Sequence, residues 1–288
     1  MKSYIPHFLM LKEKSFNQTL EKLSTGPGII PFAGGTDLMV LFEAGKLAEG
    51  TFLDISHLKE LAGIYEHKDF LEIRALTTYS EIKNHPIVRR EFPLLYEAAK
   101  VVGARAIQNR ATIGGNIANA SPAADGPPAL LCYDAIIEIA AAKKNRKVPY
   151  CDFHKNYKVM DLKMGELIKA VWLRRSKSFT GVKKEFYHKV GTRKAQAISK
   201  VCFAAKVQLS QGQVQEIRLA YGSMAPYPVR AKSTERILQG EKLSSNLIQL
   251  AITQLQKDLS PIDDIRSTAK YRMQVACNLL KQFLEGCL

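Results

Sequence analysis

Several features are scarce in this 288-residue chain. Cysteine is one: Cys132, Cys151, Cys202, Cys277 and Cys287 are odd in number, scattered and free of any CxxC pair. This argues against a disulfide framework in a chain this long, and no spacing suits a metal or an iron–sulfur cluster. Any metal chemistry is expected on a partner. Long apolar runs are also missing. No charge-free stretch is longer than Ala111 to Ala124, which carries Asn, Ser, Thr and Pro and falls short of the roughly 18 apolar residues of a membrane span. The N-terminus places Lys12, Glu13 and Lys14 close behind a short apolar run without a small-residue cleavage site. It does not read as a signal peptide, and a cytoplasmic location is the expectation. The six histidines (His7, His57, His67, His85, His154, His188) lack metal-ligand spacing and are expected on the surface or in packing. No Ser/His/Asp or Cys/His set can be argued. Hard chemistry, if present, is expected to belong to a cofactor.

What the chain has in excess is positive charge, +15 in all, with 46% hydrophobic and 24% charged residues, an ordinary globular balance. Two segments are richest in cations: Lys143 to Lys147, placed where a hairpin tip would sit, and Arg174 to Lys194, with the single acid Glu185. Neither contains a nucleic-acid recognition motif. Solvated loops are the plain reading, and an anionic ligand or an acidic protein partner is the sharper one.

The length allows two or three subdomains. Ser15 and Gln18 form a capping-box pattern ahead of a short helix that ends near Gly26-Pro27-Gly28. GIIPFA has strand length; GGTD follows, then a helical LMVLFEAG stopped by Gly45. TFLDIS is the next strand, and Ser56 is placed to cap a helix HLKELAG. Two short strands surround the charged turn Glu66 to Asp69 and lead to a capped helix. PLLYEAAKVVG has apolar residues at helical spacing. From about residue 180 the texture changes: EFYHKV onward reads as helix or loop, then two strands meet at Gln211-Gly212-Gln213, and the remainder is mostly helical. A boundary is expected near residues 176 to 182.

Two glycine-rich stretches carry the chemistry. In PFAGGTD, Gly34 and Gly35 let a ligand approach bare backbone N–H groups, and the turn into a helix favours an anion such as a phosphate. A strand-to-helix turn with Asp37 as cap is the simpler alternative. The pattern is neither a P-loop nor GxGxxG. In NRATIGGNIANASPAAD, Gly114-Gly115 follow a β-type step, with Asn116, Asn119 and Ser121 adding uncharged hydrogen-bonding groups. An anion-holding nest and a glycine-rich structural crossing both fit. Two such turns some 80 residues apart could grip one diphosphate from both sides. Asp125, ahead of Gly126-Pro127-Pro128, reads as an N-cap or as a carboxylate accepting from ligand hydroxyls, and the two roles are compatible.

These paired motifs resemble the FAD-binding medium subunit of the molybdenum hydroxylases, which include xanthine, nicotinate and carbon monoxide dehydrogenases. FYHKVGTRKAQAISKV, IRLAYGSMAPYPVRA and PIDDIRSTAKYRMQVA resemble the family's C-terminal domain. The resemblance implies an α+β chain, with a vanillyl-alcohol-oxidase-type FAD domain of two α/β subdomains (1–55 and 56–177) and a C-terminal domain (178–288) of a three-stranded antiparallel sheet with helices. It implies that Ile29, Ile30, Pro31, Phe32, Ala33, Gly34, Gly35, Thr36 and Asp37 wrap the FAD diphosphate from one side. Thr112, Ile113, Gly114, Gly115 and Asn116 would wrap it from the other. Asp125 would hold ribityl or ribose hydroxyls, Val102 and Ile168 would lie near the isoalloxazine, and Lys189, in a K-x-x-x-R pattern with Arg193, would contact the flavin region.

The family's molybdenum cofactor and [2Fe–2S] clusters sit on a large and a small partner subunit, in an expected dimer of heterotrimers. NAD+ or another acceptor takes the electrons. The carbon monoxide enzymes carry His-Ser in place of Thr36-Asp37, which favours the purine or N-heterocycle branch. No inserted cysteine cluster for an extra iron–sulfur centre is present, and no flavin-linking His or Cys, so non-covalent FAD is expected. A stand-alone FAD reductase and a non-catalytic flavin-binding component remain the rival readings.

Overall fold

A computed structural model describes residues 7–175 and 180–288. Outside them lie residues 1–6, Lys177 of the basic segment, and the expected boundary between residues 177 and 178. The chain begins with β1 (Phe8–Leu11), α1 (Phe16–Thr25), β2 (Ile30–Phe32), α2 (Leu38–Glu43) and β3 (Gly50–Asp54), whose strands form a parallel sheet in the order β1-β3-β2. Ser15 caps α1 by accepting from the Gln18 N–H, and the helix buries Thr19, Leu20 and Leu23. The helix expected after Ser56 is only a 3-10 turn, Lys59–Leu61. The Ser56 N–H and hydroxyl both turn back to Asp54 Oδ1, at 2.9 and 2.6 Å, instead of capping forward. The small core of Leu20, Leu23, Leu53, Ile55, Leu58 and Leu61 also takes in Leu76, Ala140 and Leu167. The expected first subdomain therefore buries its apolar residues jointly with the second.

The second unit runs β4 (Ile64–Glu66), β5 (Phe70–Arg74), α3 (Tyr79–Asn84), α4 (Pro86–Glu91), α5 (Pro93–Val101), α6 (Arg105–Gln108), α7 (Ile113–Ala118), α8 (Gly126–Cys132), β6 (Ile136–Ala141), β7 (Arg146–Pro149), the small hairpin β8 (His154–Asn156) and β9 (Val159–Met160), and β10 (Glu166–Arg174). Its antiparallel sheet has the order β4-β5-β10-β6-β7. Thr78 and Glu81 close a full capping box on α3. The expected cationic hairpin tip narrows to residues 142–145: Arg146 and Lys147 belong to β7, and Arg146 forks onto Asp161 and Glu166.

The third unit is β11 (Val182–Val190), β12 (Val201–Ser210), β13 (Gln213–Gly222), β14 (Val229–Arg230), α9 (Lys232–Leu238), α10 (Ser245–Asp258) and α11 (Ala269–Glu285). The sheet is antiparallel in the order β11-β12-β13-β14, the expected three long strands plus a two-residue fourth. EFYHKV, read as helix or loop, is part of β11. It pairs along its whole length with β12, from Val182 opposite Leu209 to Val190 opposite Val201. One face of this sheet packs on α9 to α11 through Phe203, Leu219, Tyr221, Leu280 and Phe283. Ala204 and Ala220 point the other way, into the core of the second unit, beside α8. All seven residues of α8 are buried.

Candidate functional site

The first glycine loop, residues 33–37, links β2 to α2, and the second, residues 109–125, crosses directly over it. The Gly34 carbonyl accepts from Arg110 Nε at 3.1 Å, and Asn119 Nδ2 donates to Asp37 Oδ1 at 2.9 Å. Lys158 in turn reaches Asn119, its Nζ lying 2.8 Å from Oδ1. Asp37 occupies the N-cap position of α2, but its carboxylate makes no cap hydrogen bond and is spent on the second loop. Gly34 is required by the crossing itself, since a Cβ there would lie 1.8 Å from the Arg110 carbonyl oxygen. Gly35 has φ +74, and a Cβ there would meet the Phe32 ring at 2.7 Å. Among the described residues, the N–H groups of Gly34, Gly35, Thr36 and Asp37 donate to no protein acceptor. Four successive unspent donors at a half-exposed turn suit an anion.

The second loop differs from expectation. Gly114 and Gly115 lie in the first turn of α7, capped by Thr112, whose Oγ1 accepts from Gly115 N at 3.1 Å. The Gly114 N–H goes to the Ala75 carbonyl at 2.8 Å, and Ile113 and Asn116 donate to Thr77 and Thr112. The N–H nest expected at Gly114-Gly115 is thus spent inside the protein. Gly114 instead permits close packing, because a Cβ would sit 2.6 Å from that of Ala75. Gly115 is exposed, and the sole atom within 4 Å of a Cβ there would be Thr112 Oγ1, at 2.9 Å. The buried Tyr79 orients Asn116 by donating to its Oδ1 at 2.8 Å.

A third cluster joins the two halves of the chain. Asp125 is 9% exposed; its Oδ2 accepts from Lys189 Nζ at 2.6 Å and its Oδ1 from Ser199 Oγ at 2.5 Å. Its carbonyl accepts from the Tyr187 hydroxyl at 2.9 Å. Asp125 occupies the N-cap position of α8 with proline in the first turn, as read, but its carboxylate makes no cap bond to the helix. Burial pushes the Asp125 carboxyl up, while the Lys189 charge and the hydrogen bonds from Lys189 and Ser199 pull it back. Lys189 Nζ also donates to the Val101 carbonyl at 2.9 Å, which places it beside Val102. Val102 and Ile168 are 7% and 4% exposed and belong to the main core. Ile29 and Ala33 pack into the small core, and Ile30 is 38% exposed on β2.

The basic segment is largely spent within the fold. Arg175 forks onto Glu91 at 2.7 and 2.8 Å, Arg174 lies over the Phe70 ring, and Arg193 closes its own loop onto the carbonyls of Ala195 and Gln196. Lys184 reaches the Gly286 carbonyl. Arg175 holds the Glu91 carboxyl down to about 2, from its ordinary 4.5. A carboxyl depressed on folding adds stability above its ordinary value and loses it as pH falls towards the folded one. The variant Arg175→Gln should therefore unfold at lower urea than wild type at pH 7, with the two converging as pH approaches 2.

Sequence reading passed over Arg110, Lys158, Tyr187 and Ser199, although all but Lys158 lie inside the stretches it singled out. They act through other residues, by holding a loop or a carboxylate, and carry no motif of their own.

Comparison with known proteins fits this geometry. Residues 6–173 match the family described as FAD binding domain in molybdopterin dehydrogenase, and residues 186–287 match the CO dehydrogenase flavoprotein C-terminal domain. The chain is 30% identical over 283 residues to the glyceraldehyde dehydrogenase medium chain of Sulfolobus acidocaldarius, covering 98% of this chain and 99% of that one. It is 30% identical to the xanthine dehydrogenase FAD-binding subunit of Escherichia coli O157:H7, covering 91% and 90%. A solved structure of carbon monoxide dehydrogenase from Hydrogenophaga pseudoflava, lacking the Mo-pyranopterin moiety, superposes with a TM-score of 0.92 at 26% identity, over 99% of this chain and 98% of that one. No helix among the described residues is long and apolar enough to cross a membrane. With both domains matched, and with relatives aligned over nearly the full length, the chain belongs to the FAD-binding medium subunits of the molybdenum hydroxylases.

Proposed function

We propose that this subunit binds FAD non-covalently across the two glycine loops and passes electrons from a partner's [2Fe–2S] clusters to NAD+ or another acceptor. The observation that carries the reading is the row of unspent N–H groups from Gly34 to Asp37, held open by Arg110 and Asn119. FAD, when bound, supplies the redox chemistry. The chain's own residues position it. Gly34 to Asp37 would donate to the diphosphate, and the exposed Gly115 would leave room on the opposite side. Asp125 keeps unused lone pairs for a ligand hydroxyl. Lys189, with two of its three donors engaged, has one left to offer the ligand. Thr36-Asp37 at the first loop supports the purine or N-heterocycle branch, and a heterotrimer with the large molybdenum and small iron–sulfur subunits is the assembly in which this chain would work. The units 1–55, 56–177 and 178–288 are proposed as its working parts.

The test is flavin content. Gly115→Val places its bulk at an exposed loop glycine, away from the core, so it should give a folded protein that retains less than about a tenth of the wild-type flavin absorbance. Full retention of flavin by this variant, or a colourless wild-type protein, removes the reading.

A further inference from the structure

The hairpin of β8 and β9 reaches the glycine loops from a third part of the chain. His154 pairs with Met160 and Asn156 with Val159, which leaves Tyr157 and Lys158 as the two-residue turn. Asn156 Oδ1 accepts from the Tyr157 N–H at 2.7 Å, and Lys158 takes a left-handed φ of +56. The root of the hairpin is held firmly. Phe153 and His154 are buried, His154 Nε2 lies 3.2 Å from the Tyr150 hydroxyl, and Arg146 grips Asp161 just past β9. The exposed tip therefore has a fixed direction. It carries the Lys158 ammonium to Asn119, where Nζ donates to both the carbonyl and Oδ1.

Asn119 sits between two partners of opposite kind. An ammonium only donates and an ionised carboxylate only accepts, whereas a primary amide does both. With Lys158 on its oxygen, the amide satisfies both neighbours in one orientation, the one that turns Nδ2 towards Asp37 Oδ1 at 2.9 Å. The sequence of contacts Lys158–Asn119–Asp37 joins segments 39 and 82 residues apart. Asp37 is the one charged residue in loop 33–37, and its sign is wrong for an anion site. A short carboxylate left free turns onto nearby backbone N–H groups. Here it would compete with a ligand for the unspent donors from Gly34 to Asp37.

We propose that Lys158 is a positioning residue for the flavin diphosphate: acting through Asn119, it holds the Asp37 carboxylate off those donors and offsets its charge. The proposal rests on the FAD reading given above, and it adds to that site a residue outside both glycine motifs.

Lys158 is exposed on a turn, so Lys158→Met leaves the fold intact. Titration of the flavin-stripped, full-length chain with FAD should show a Kd raised about three- to tenfold in Lys158→Met. Adding Asp37→Asn keeps the backbone donors and removes the competing charge. The double variant should return to within about twofold of the wild-type Kd, since the two side chains act as one unit. A purely structural role for Lys158 would not be repaired by deleting a carboxylate on another loop. The proposal is overturned by an unchanged Kd in Lys158→Met, or by a loss that Asp37→Asn fails to recover; either result leaves the FAD reading standing. A wild-type chain that takes up no FAD overturns the FAD reading and this proposal with it.

Discussion

Replacing Lys189 with methionine is expected to cost about 3–5 kcal/mol at neutral pH, because it strands a buried carboxylate without its counter-ion. In wild type the Lys189 ammonium sits 2.6 Å from Asp125 Oδ2 and also ties down the Val101 carbonyl. The pH dependence has a definite sign. The Asp125 carboxyl is already raised by burial, and without Lys189 it rises further. A carboxyl raised on folding contributes its stability at low pH and loses it as pH climbs through the folded value. The deficit of Lys189→Met should accordingly be largest at alkaline pH and shrink on acidification. Asp125→Asn in the same background removes the stranded charge and should recover most of the loss. Urea unfolding of the three proteins between pH 5 and 8 measures this. Equal deficits at every pH would mean that the pair is not the source.

Gly34→Val should be the most damaging change in the glycine loops. Its Cβ would fall 1.8 Å from the Arg110 carbonyl oxygen and 2.7 Å from its carbon, both backbone atoms with no freedom to swing aside. The two loops must part, breaking the Arg110–Gly34 and Asn119–Asp37 bonds and dispersing the four donors that face the ligand. A stability loss of about 2 kcal/mol or more is expected, together with essentially complete loss of flavin. Gly115→Val, which meets only the Thr112 hydroxyl that caps α7, should lose flavin at a cost in stability of about 1 kcal/mol or less, smaller than that of Gly34→Val. The contrast separates a glycine that serves the crossing from one that serves the ligand. Indistinguishable unfolding curves for the two variants would remove that distinction.

Much of this arrangement could be read from residues alone. The Ser15 cap on the Gln18 N–H, a strand within GIIPFA, the Glu66 to Asp69 turn and the helical spacing of PLLYEAAKVVG are local signals, and each formed, although the capping box of Ser15 and Gln18 closes on one side only and the strand keeps three of its residues. The failures share a cause: a side chain with a good local role was claimed by something distant. Asp37 and Asp125 both sit at N-cap positions as read, yet their carboxylates bond elsewhere: Asn119 takes the first, and Lys189 with Ser199 takes the second, from 64 and 74 residues away. Gly114 read as a nest and proved to be a packing contact with Ala75, visible only once β5 and α7 are side by side. EFYHKV read as helix or loop because its alternation is interrupted by charges, and pairing with β12 decided the matter. The pairing of the two glycine stretches, and the family resemblance they carry, came through because motif residues are contiguous. Their supporting residues are not, and so they went unseen.

The complete burial of α8 has a practical bearing on how such proteins can be recombined. Cys132 donates to the Ala204 carbonyl at 3.2 Å, and the neighbouring Asp125 is served by three side chains from beyond residue 186. The front and back portions are therefore not interchangeable cassettes, although they match separate family descriptions. A chimera joined near residue 180 would inherit one parent's Asp125 loop and the other parent's Lys189, Ser199 and Tyr187. It should stay soluble only where those residues travel together, so the practical unit of exchange is residues 120–132 with 186–204.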